Sequence, residues 1–169
     1  MTEAPSTPKV AFSPRLATIE DLPEMARVEK AVHRSPWDEA HFAAELEKAY
    51  SRILVMTDDE TDSVIAGYVV FWLMFDEAQI LNIAVDLPFR GLGLARAMIR
   101  QVVSHALKKN IQKVLLDVRK SNQPAVELYQ SMRFSIAQVR KGFYADGEDA
   151  YTMVLWLSEE GLSSEEKGF

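Results

Sequence analysis

The sequence contains no cysteine, and this absence removes several kinds of chemistry at once. Without a thiol there is no disulfide framework, no thiolate zinc site and no cysteine nucleophile. The three histidines, His33, His41 and His105, are scattered along the chain without the spacing of metal ligands. We therefore expect no metal centre.

Glycine and proline are sparse, with 7 of each among 169 residues, whereas 48% of the residues are hydrophobic. This composition excludes disordered, collagenous and low-complexity chains, and the length fits one domain. Long apolar runs are missing as well. The run Val64 to Phe75 is interrupted by Gly67 and falls short of the ~20 residues of a membrane span, so we expect no membrane partner.

Positive charge is in deficit, since 19 Lys and Arg stand against 25 Asp and Glu, which gives a net charge of −6. Nucleic-acid binding needs clustered positive charge, so we expect no nucleic-acid partner. Residues 1–14 lack the basic start and apolar core of a secretory signal, which favours a cytoplasmic location. A monomer is the default expectation.

Composition divides the chain into a flexible leader (1–14), one domain (15–157) and an acidic tail (158–169) with four Glu and one Lys. In the domain, Thr18 with Asp21 resembles a capping box before a first helix. Ser35, followed by proline at the first helical position, marks the start of a second helix.

The remaining pattern predicts an antiparallel three-stranded meander over 52–85, because β-branched and aromatic runs are separated by short polar turns. A helix over 91–109 then connects to a strand over 113–118, which makes one βαβ unit with parallel strands. A short helix capped by Asn122 and a C-terminal hairpin complete the prediction. The fold class is therefore α/β with a mixed sheet.

Ligands of such sheets bind at the carboxyl ends of parallel strands, beside the helix N-terminus. Here the chain reads Arg90, Gly91, Leu92, Gly93, Leu94, Ala95. Glycines at this turn let the backbone approach a ligand, and the free amides of the first helical turn suit a phosphate. A tight turn without a ligand is the alternative. A P-loop pattern is absent, and the dinucleotide fingerprint would place a third small residue at Arg96.

The loop satisfies a third pattern, Gln or Arg, two residues, Gly, one residue, then Gly or Ala, and so resembles the coenzyme A pyrophosphate loop of the GCN5-related N-acetyltransferase (GNAT) superfamily. The order of elements over about 15–157 is similar too. Several short strings are similar to the bacterial RimI group of ribosomal-protein-alanine N-acetyltransferases. They are Ser35-Pro-Trp, Asp76-Glu-Ala, Asn82-Ile-Ala-Val, Asp117-Val-Arg-Lys-Ser-Asn, Glu127-Leu-Tyr and Gly147-Glu-Asp-Ala.

This resemblance implies acetyl-CoA as co-substrate, bound between parallel central strands that splay apart. Strand-edge groups of Ile83, Ala84 and Val85 would hold the pantetheine arm. The pyrophosphate would lie on Gly91, Leu92, Gly93, Leu94, Ala95 and Arg96. Asn122 resembles an asparagine that binds the cofactor, and it is equally well explained as a helix cap.

The resemblance also assigns the catalytic residues Asp117 and Tyr129. Tyr129 would donate a proton to the departing thiolate, and the alternative is a core tyrosine. Asp117 stands where the family has a glutamate base and is one methylene shorter. It would act directly, through a water, or with Glu77, and the alternative is an ion pair with Arg119.

The implied reaction is direct attack, in a ternary complex, by the N-terminal α-amine of a ribosomal protein that begins with alanine. An α-amine with a pKa near ~8 needs less help from a base than a lysine near ~10.4. A small amine or a lysine as acceptor, and a CoA-binding regulatory module without turnover, stay open. Acids and aromatics are expected to hold a basic peptide, namely Asp76, Glu77, Glu148, Asp149, Trp37, Phe143 and Tyr144.

Overall fold

Seven strands and four α-helices follow one another along residues 10–157, the part of the chain that the computed structural model describes. The strands are β1 (Phe12–Leu16), β2 (Ser51–Asp58), β3 (Ile65–Met74), β4 (Glu77–Val85), β5 (Lys113–Arg119), β6 (Ser135–Arg140) and β7 (Ala150–Trp156). The helices are α1 (Leu22–Val32), α2 (Glu39–Leu46), α3 (Leu94–Lys108) and α4 (Gln123–Ser131).

The strands form one sheet in the order β1-β2-β3-β4-β5-β7-β6. Neighbouring strands are antiparallel except β4 and β5, which run parallel because α3 returns the chain to the starting edge. The predicted meander, the βαβ unit, the antiparallel C-terminal pair and the mixed α/β fold class are confirmed.

Helices cover both faces of this sheet and create two apolar clusters. On one face, Met98 and Val102 of α3 pack with Phe71 of β3. On the other face, Met25 of α1 and Phe42 of α2 pack around another residue of β3, Tyr68. Because both faces are covered, β3 is almost continuously buried along its length.

α1 begins at Leu22, three residues later than the capping pattern at Thr18 predicts. Thr18 and Asp21 form a capping box around a short 3-10 turn that leads into the helix. Arg15 then binds both carboxylate oxygens of Asp21, at 2.8 and 2.9 Å, which ties the end of β1 to the start of α1.

The predicted start of α2 at Ser35 is wrong. The N-cap is Asp38, whose carboxylate accepts a hydrogen bond from the amide of His41 at 2.9 Å. The cause is a contact with α1, because the amide of Trp37 donates to the buried carboxylate of Glu29 at 3.1 Å. That contact holds the segment after Ser35 as a loop against α1.

The edge strand β1 was not predicted, and it begins inside the expected leader 1–14. Phe12 starts the strand, and its ring meets Phe89 edge-on with centroids 5.3 Å apart. Residues 12–14 therefore belong to the sheet and not to a leader. Residues 1–9 and the expected acidic tail 158–169 lie outside the described residues.

The feature that shapes the molecule is the divergence of β4 from β5. Their pairing runs from Glu77 opposite Lys113 to Ile80 opposite Leu116 and stops there. On its other side β4 stays paired with β3 to its end, with a bulge that leaves Leu81 without a partner. A bulge turns a strand and increases its twist, so β4 leaves β5 at this residue.

We expect Gly67→Ala to destabilise the protein, because β3 and β4 are in close contact at Gly67. A Cβ there would lie 2.6 Å from the carbonyl oxygen of Ala84 and 3.2 Å from Cε of Met98. Since the first neighbour is backbone, β4 must shift, and we expect a loss of about 1–3 kcal/mol of unfolding free energy. Denaturant unfolding measures it.

Gly142→Ala is the matched control. Its φ is +59°, and an added Cβ would have no atom within 4 Å, so this variant carries backbone strain without steric overlap. A loss for Gly67→Ala no larger than that of Gly142→Ala would contradict the predicted overlap with β4.

Candidate active site

A cleft of about 780 Å³ opens where β4 and β5 diverge. Its walls come from the carboxyl halves of both strands, the loop before α3, the face of α4 and the end of α1. The predicted site residues that line it are Ile83, Ala84, Val85, Gly91, Gly93, Leu94, Ala95, Arg96, Asp117, Asn122 and Tyr129. Leu92 is the exception and is 58% exposed. The structure therefore brings all but one of them together.

The edge of β4 offers main-chain groups to this cleft. The amide of Asp86 donates to the carbonyl oxygen of Ala66 at 2.8 Å, so these residues form a hydrogen-bonded pair between β3 and the end of β4. Hydrogen-bonded pairs alternate along antiparallel strands, so Ala84 also uses its main-chain groups toward β3. Those of Ile83 and Val85 point to the side that β5 has left. Two of the three predicted residues can thus bind a ligand as an added strand would.

The glycine loop presents a row of free amides. Gly91 and Gly93 both have φ of +76°, which only glycine adopts readily, and a Cβ at either position would meet no atom within 4 Å. The amide of Ala97 donates to the carbonyl oxygen of Gly93 at 3.0 Å. The preceding amides, 94–96, have no helical acceptor, and the positive end of the α3 dipole adds to them. In chemical terms this arrangement suits an anion.

α4 directs two side chains at the same cleft from two helical turns apart. Asn122 caps the helix, accepting from the amide of Ala125 at 3.3 Å, which leaves its side-chain NH₂ for a ligand. Tyr129 is buried against Phe134, and its hydroxyl makes no hydrogen bond to the described residues. Burial raises the pKa of Tyr129 to about 12. It is therefore a protonated phenol with its proton available.

Asp117 lies on the opposite wall, and each of its carboxylate oxygens accepts one hydrogen bond. Oδ1 accepts from the hydroxyl of Thr152 at 2.5 Å, and Oδ2 accepts from the guanidinium of Arg140 at 3.2 Å. The predicted alternative, an ion pair with Arg119, is wrong in its partner, since Arg119 binds acids of the β6–β7 loop. Each oxygen can accept one more hydrogen bond, so a water or an amine can still bind Asp117.

Glu77 lies too far from Asp117 to assist it, and that hypothesis is wrong. Parallel strands start together, and Glu77 is paired in register with Lys113, to which it forms an ion pair of 2.8 Å. Asp117 follows four residues later, about 13 Å along the strand at ~3.3 Å per residue. Asp76 precedes Glu77 and lies at the same far end, so neither acid can hold a peptide in the cleft.

The acids of the β6–β7 loop are already neutralised. Arg119 binds Glu148 at 3.0 Å, and Lys141 binds Asp149 at 3.1 Å. Hydrogen bonding by Ser121 and by the Arg119 guanidinium holds the pKa of Glu148 below its ordinary value. A basic peptide would have to compete with these internal cations, so the expectation that loop acids hold it is not supported by the geometry.

Two of the three expected aromatic residues reach the cleft. Trp37 and Tyr144 line it, and the Arg119 guanidinium stacks 4.0 Å above the Tyr144 ring. Burial and the charge of Asp117 raise the pKa of Tyr144. Phe143 instead lies 4.2 Å under the guanidinium of Arg140 and is not part of the lining.

The sequence analysis missed the wall that the end of α1 supplies. Glu29, His33 and Arg34 line the cleft, and none had been considered for the site. One signal was present. Glu29 stands four residues after Met25, on the apolar face of α1, where a carboxylate is rare unless it has partners.

Within residues 10–157 no three His, Asp or Glu side chains are close enough together to hold a metal ion. In the same part of the chain no helix has the length and apolar character needed to cross a bilayer.

Comparison with known proteins gives the family. The sequence profile of the Acetyltransferase (GNAT) family matches residues 19–134, which is more than half of the chain. A ribosomal protein bS18-alanine N-acetyltransferase from Escherichia coli (strain K12) is 33% identical over 141 residues, covering 82% of this chain and 93% of that protein. The chain therefore belongs to the GNAT family of acetyltransferases.

Two further proteins are similar to this chain over most of its length. An N-alpha-acetyltransferase from Sulfolobus acidocaldarius is 31% identical over 159 residues, covering 86% of this chain and 92% of that protein. The crystal structure of the Escherichia coli ribosomal-protein-alanine N-acetyltransferase superposes with a TM-score of 0.78 at 30% identity, covering 88% of this chain and 95% of the other. The resemblance inferred from the glycine loop is confirmed.

We expect the buried Tyr129 to resist ionisation in alkali, because burial disfavours its phenolate. Its pKa of about 12 means that the tyrosinate absorbance difference between the wild type and Tyr129→Phe stays near zero around pH 10. A near-ultraviolet pH titration measures this, with circular dichroism to show that the fold persists. Ionisation of Tyr129 near pH 10 in the folded protein would contradict the burial argument.

Proposed function

We propose that this protein transfers the acetyl group of acetyl-CoA to the N-terminal α-amine of a ribosomal protein, with alanine as the first residue. The relatives whose names state this activity are similar over most of both chains. The observation that carries the proposal is the cleft itself. It combines a free strand edge, a glycine loop at a helix N-terminus and a buried tyrosine with an unpaired hydroxyl.

The residues present fit acetyl-CoA on chemical grounds. Free main-chain groups of Ile83 and Val85 suit the amides of a pantetheine arm, which would bind like an added strand. The amides that follow Gly91 and Gly93 suit a pyrophosphate. Arg90 and Arg96 add positive charge at the same place. Acetyl-CoA supplies the thioester, and the protein's own side chains supply the proton chemistry.

Tyr129 is proposed as the proton donor to the departing sulfur. Its hydroxyl lacks a partner, and its raised pKa keeps it protonated throughout the physiological range. Asp117 is proposed as the carboxylate that orients the attacking amine through a water, with Thr152 and Arg140 holding the carboxylate in place. The reaction is proposed as direct attack in a ternary complex, since the absence of cysteine removes the most usual covalent route.

The ordinary pKa values of the two kinds of amine favour an α-amine as the acceptor. An α-amine with a pKa near ~8 is partly neutral at pH 7, whereas a lysine near ~10.4 is almost entirely charged. Only the neutral amine attacks a thioester. A lysine acceptor would therefore depend far more on a base than an α-amine does.

The test of the proposed function is acetyl-CoA turnover, followed by thiol release, on three acceptors. One is a peptide with a free N-terminal alanine and a basic sequence, one is the same peptide with a blocked N-terminus and an internal lysine, and one is a small diamine. We expect turnover with the free N-terminus alone. Turnover confined to the lysine or the diamine would replace the proposed acceptor.

If no acceptor is acetylated while calorimetry still detects CoA binding, a binding module without turnover replaces the enzyme.

We expect Tyr129→Phe to lower kcat by about 100-fold or more while CoA affinity is unchanged, because only the proton donor is removed. Steady-state kinetics and calorimetry give the two quantities. Tyr50→Phe is the matched control, since Tyr50 packs on Trp72 away from the cleft. Equal kcat values for the two variants would remove Tyr129 from the reaction.

A further inference from the structure

Glu29 is a buried carboxylate that the proposed reaction does not yet use. It is 1% exposed, and it accepts hydrogen bonds from three other parts of the chain. The amide of Trp37 and the side-chain amide of Asn82 donate to Oε1 at 3.1 and 3.0 Å, and the hydroxyl of Tyr68 donates to Oε2. Because all three partners are donors, Glu29 has the hydrogen-bonding pattern of an ionised carboxylate.

The donors around Glu29 are neutral. Burial and the Glu29 charge raise the pKa of Tyr68, so its hydroxyl stays protonated. In the described part of the chain no Lys or Arg forms an ion pair with Glu29. A buried charge without a cation is costly, and such a site stabilises a positive charge that arrives beside it.

His33 is the group that can carry that charge. It lies one helical turn after Glu29, with Nε2 at 3.6 Å from Oε2, a distance suited to an ion pair when the imidazole is protonated. Nε2 is buried and has no hydrogen-bond partner. The side chain as a whole is 38% exposed and lines the same cleft as Asp117 and Tyr129. The ring therefore connects a buried carboxylate to the cleft.

We propose that His33, stabilised by Glu29, accepts the proton that the acceptor amine loses during acetyl transfer, an inference that rests on the proposed function. The two oxygens of Asp117 each accept a hydrogen bond from another part of the chain, whereas Nε2 of His33 has no hydrogen-bond partner. A carboxylate behind an imidazole holds the ring in place and stabilises the imidazolium that forms. Glu29 is thus a positioning residue for His33.

The proton balance follows from these assignments. The amine nitrogen forms a bond to the acetyl carbon as the carbon–sulfur bond breaks, and one proton passes from nitrogen to His33. Tyr129 gives its hydroxyl proton to the sulfur. The imidazolium then returns one proton through water to the tyrosinate, so both residues regain their starting states. No oxidant, reductant or metal is needed.

The test is chemical rescue with the N-terminal alanine peptide and acetyl-CoA. We expect His33→Ala to lower kcat/KM by about 100-fold or more, the effect of losing a general base. Added imidazole restores the rate in proportion to its free-base concentration, because the truncated side chain leaves room at an accessible position. A merely structural histidine would show no such rescue.

A double-mutant cycle supplies the second readout. Glu29→Gln removes the charge with little change of volume, and the double variant should be no slower than His33→Ala, because the two residues act as a unit. Thermal unfolding and CoA affinity show whether each variant is folded. His105→Ala is the control. His105 belongs to α3, packs on Phe71 of β3 and lies outside the cleft.

The outcomes separate this inference from the proposed function. Absence of turnover by the wild type overturns the proposed function. Full activity of His33→Ala overturns the role of His33 and leaves the proposed function intact. So does a loss that imidazole fails to restore in a folded variant that binds CoA, since that result assigns His33 to structure alone.

Discussion

The pairing of β4 with β5 lasts for four residues and then ends, and the rest of the site depends on this limit. Main-chain groups released from a sheet must find other partners, because an unpaired buried N–H or C=O costs about 1–3 kcal/mol. The bulge at Leu81 turns β4 away while β3 keeps its other edge satisfied. The sheet therefore keeps its strand order, and within it the end of β4 has a free edge on the side of β5. An extended ligand needs such an edge.

The same divergence explains why Glu29 is buried where it is. Asn82 follows the bulge residue directly, and its side chain donates to Glu29, as do the amide of Trp37 and the hydroxyl of Tyr68. One carboxylate thereby joins α1, the loop after it, β3 and the diverging part of β4. Under the proposed roles, the strand that would bind the co-substrate also contacts the acceptor side of the cleft, through the hydrogen bond from Asn82 to Glu29.

Much of this architecture can be predicted from local sequence patterns. β-branched and aromatic runs between polar turns predicted the meander, helical spacing predicted α1 and α3, and the glycine loop indicated where the cleft lies. The failures have tertiary causes. β1 contains Pro14, which an edge strand tolerates and a propensity argument rejects. α2 begins later than predicted because the amide of Trp37 donates a hydrogen bond to Glu29.

The site was harder to predict than the fold, for a related reason. A strand pattern predicts which face of the sheet a residue lies on. It does not predict how far apart two residues lie on neighbouring strands, so Glu77 was wrongly expected near Asp117. His33 and Glu29 were missed because helical periodicity shows only that Glu29 is a carboxylate on an apolar face. It does not show which groups bind that carboxylate. Those partners come from segments 8, 39 and 53 residues away, which local periodicity does not reach.

Charge in the cleft is arranged to suit a neutral nucleophile. The acids near the acceptor wall are bound to Arg119, Lys141 and Arg140, so they offer little attraction to an ammonium. A free carboxylate would hold the amine in its charged form, which cannot attack a thioester. Glu29 is kept from the amine by burial, and it acts on the reaction through the imidazole of His33. Under the proposed roles, the cleft therefore develops positive charge during the reaction rather than before it.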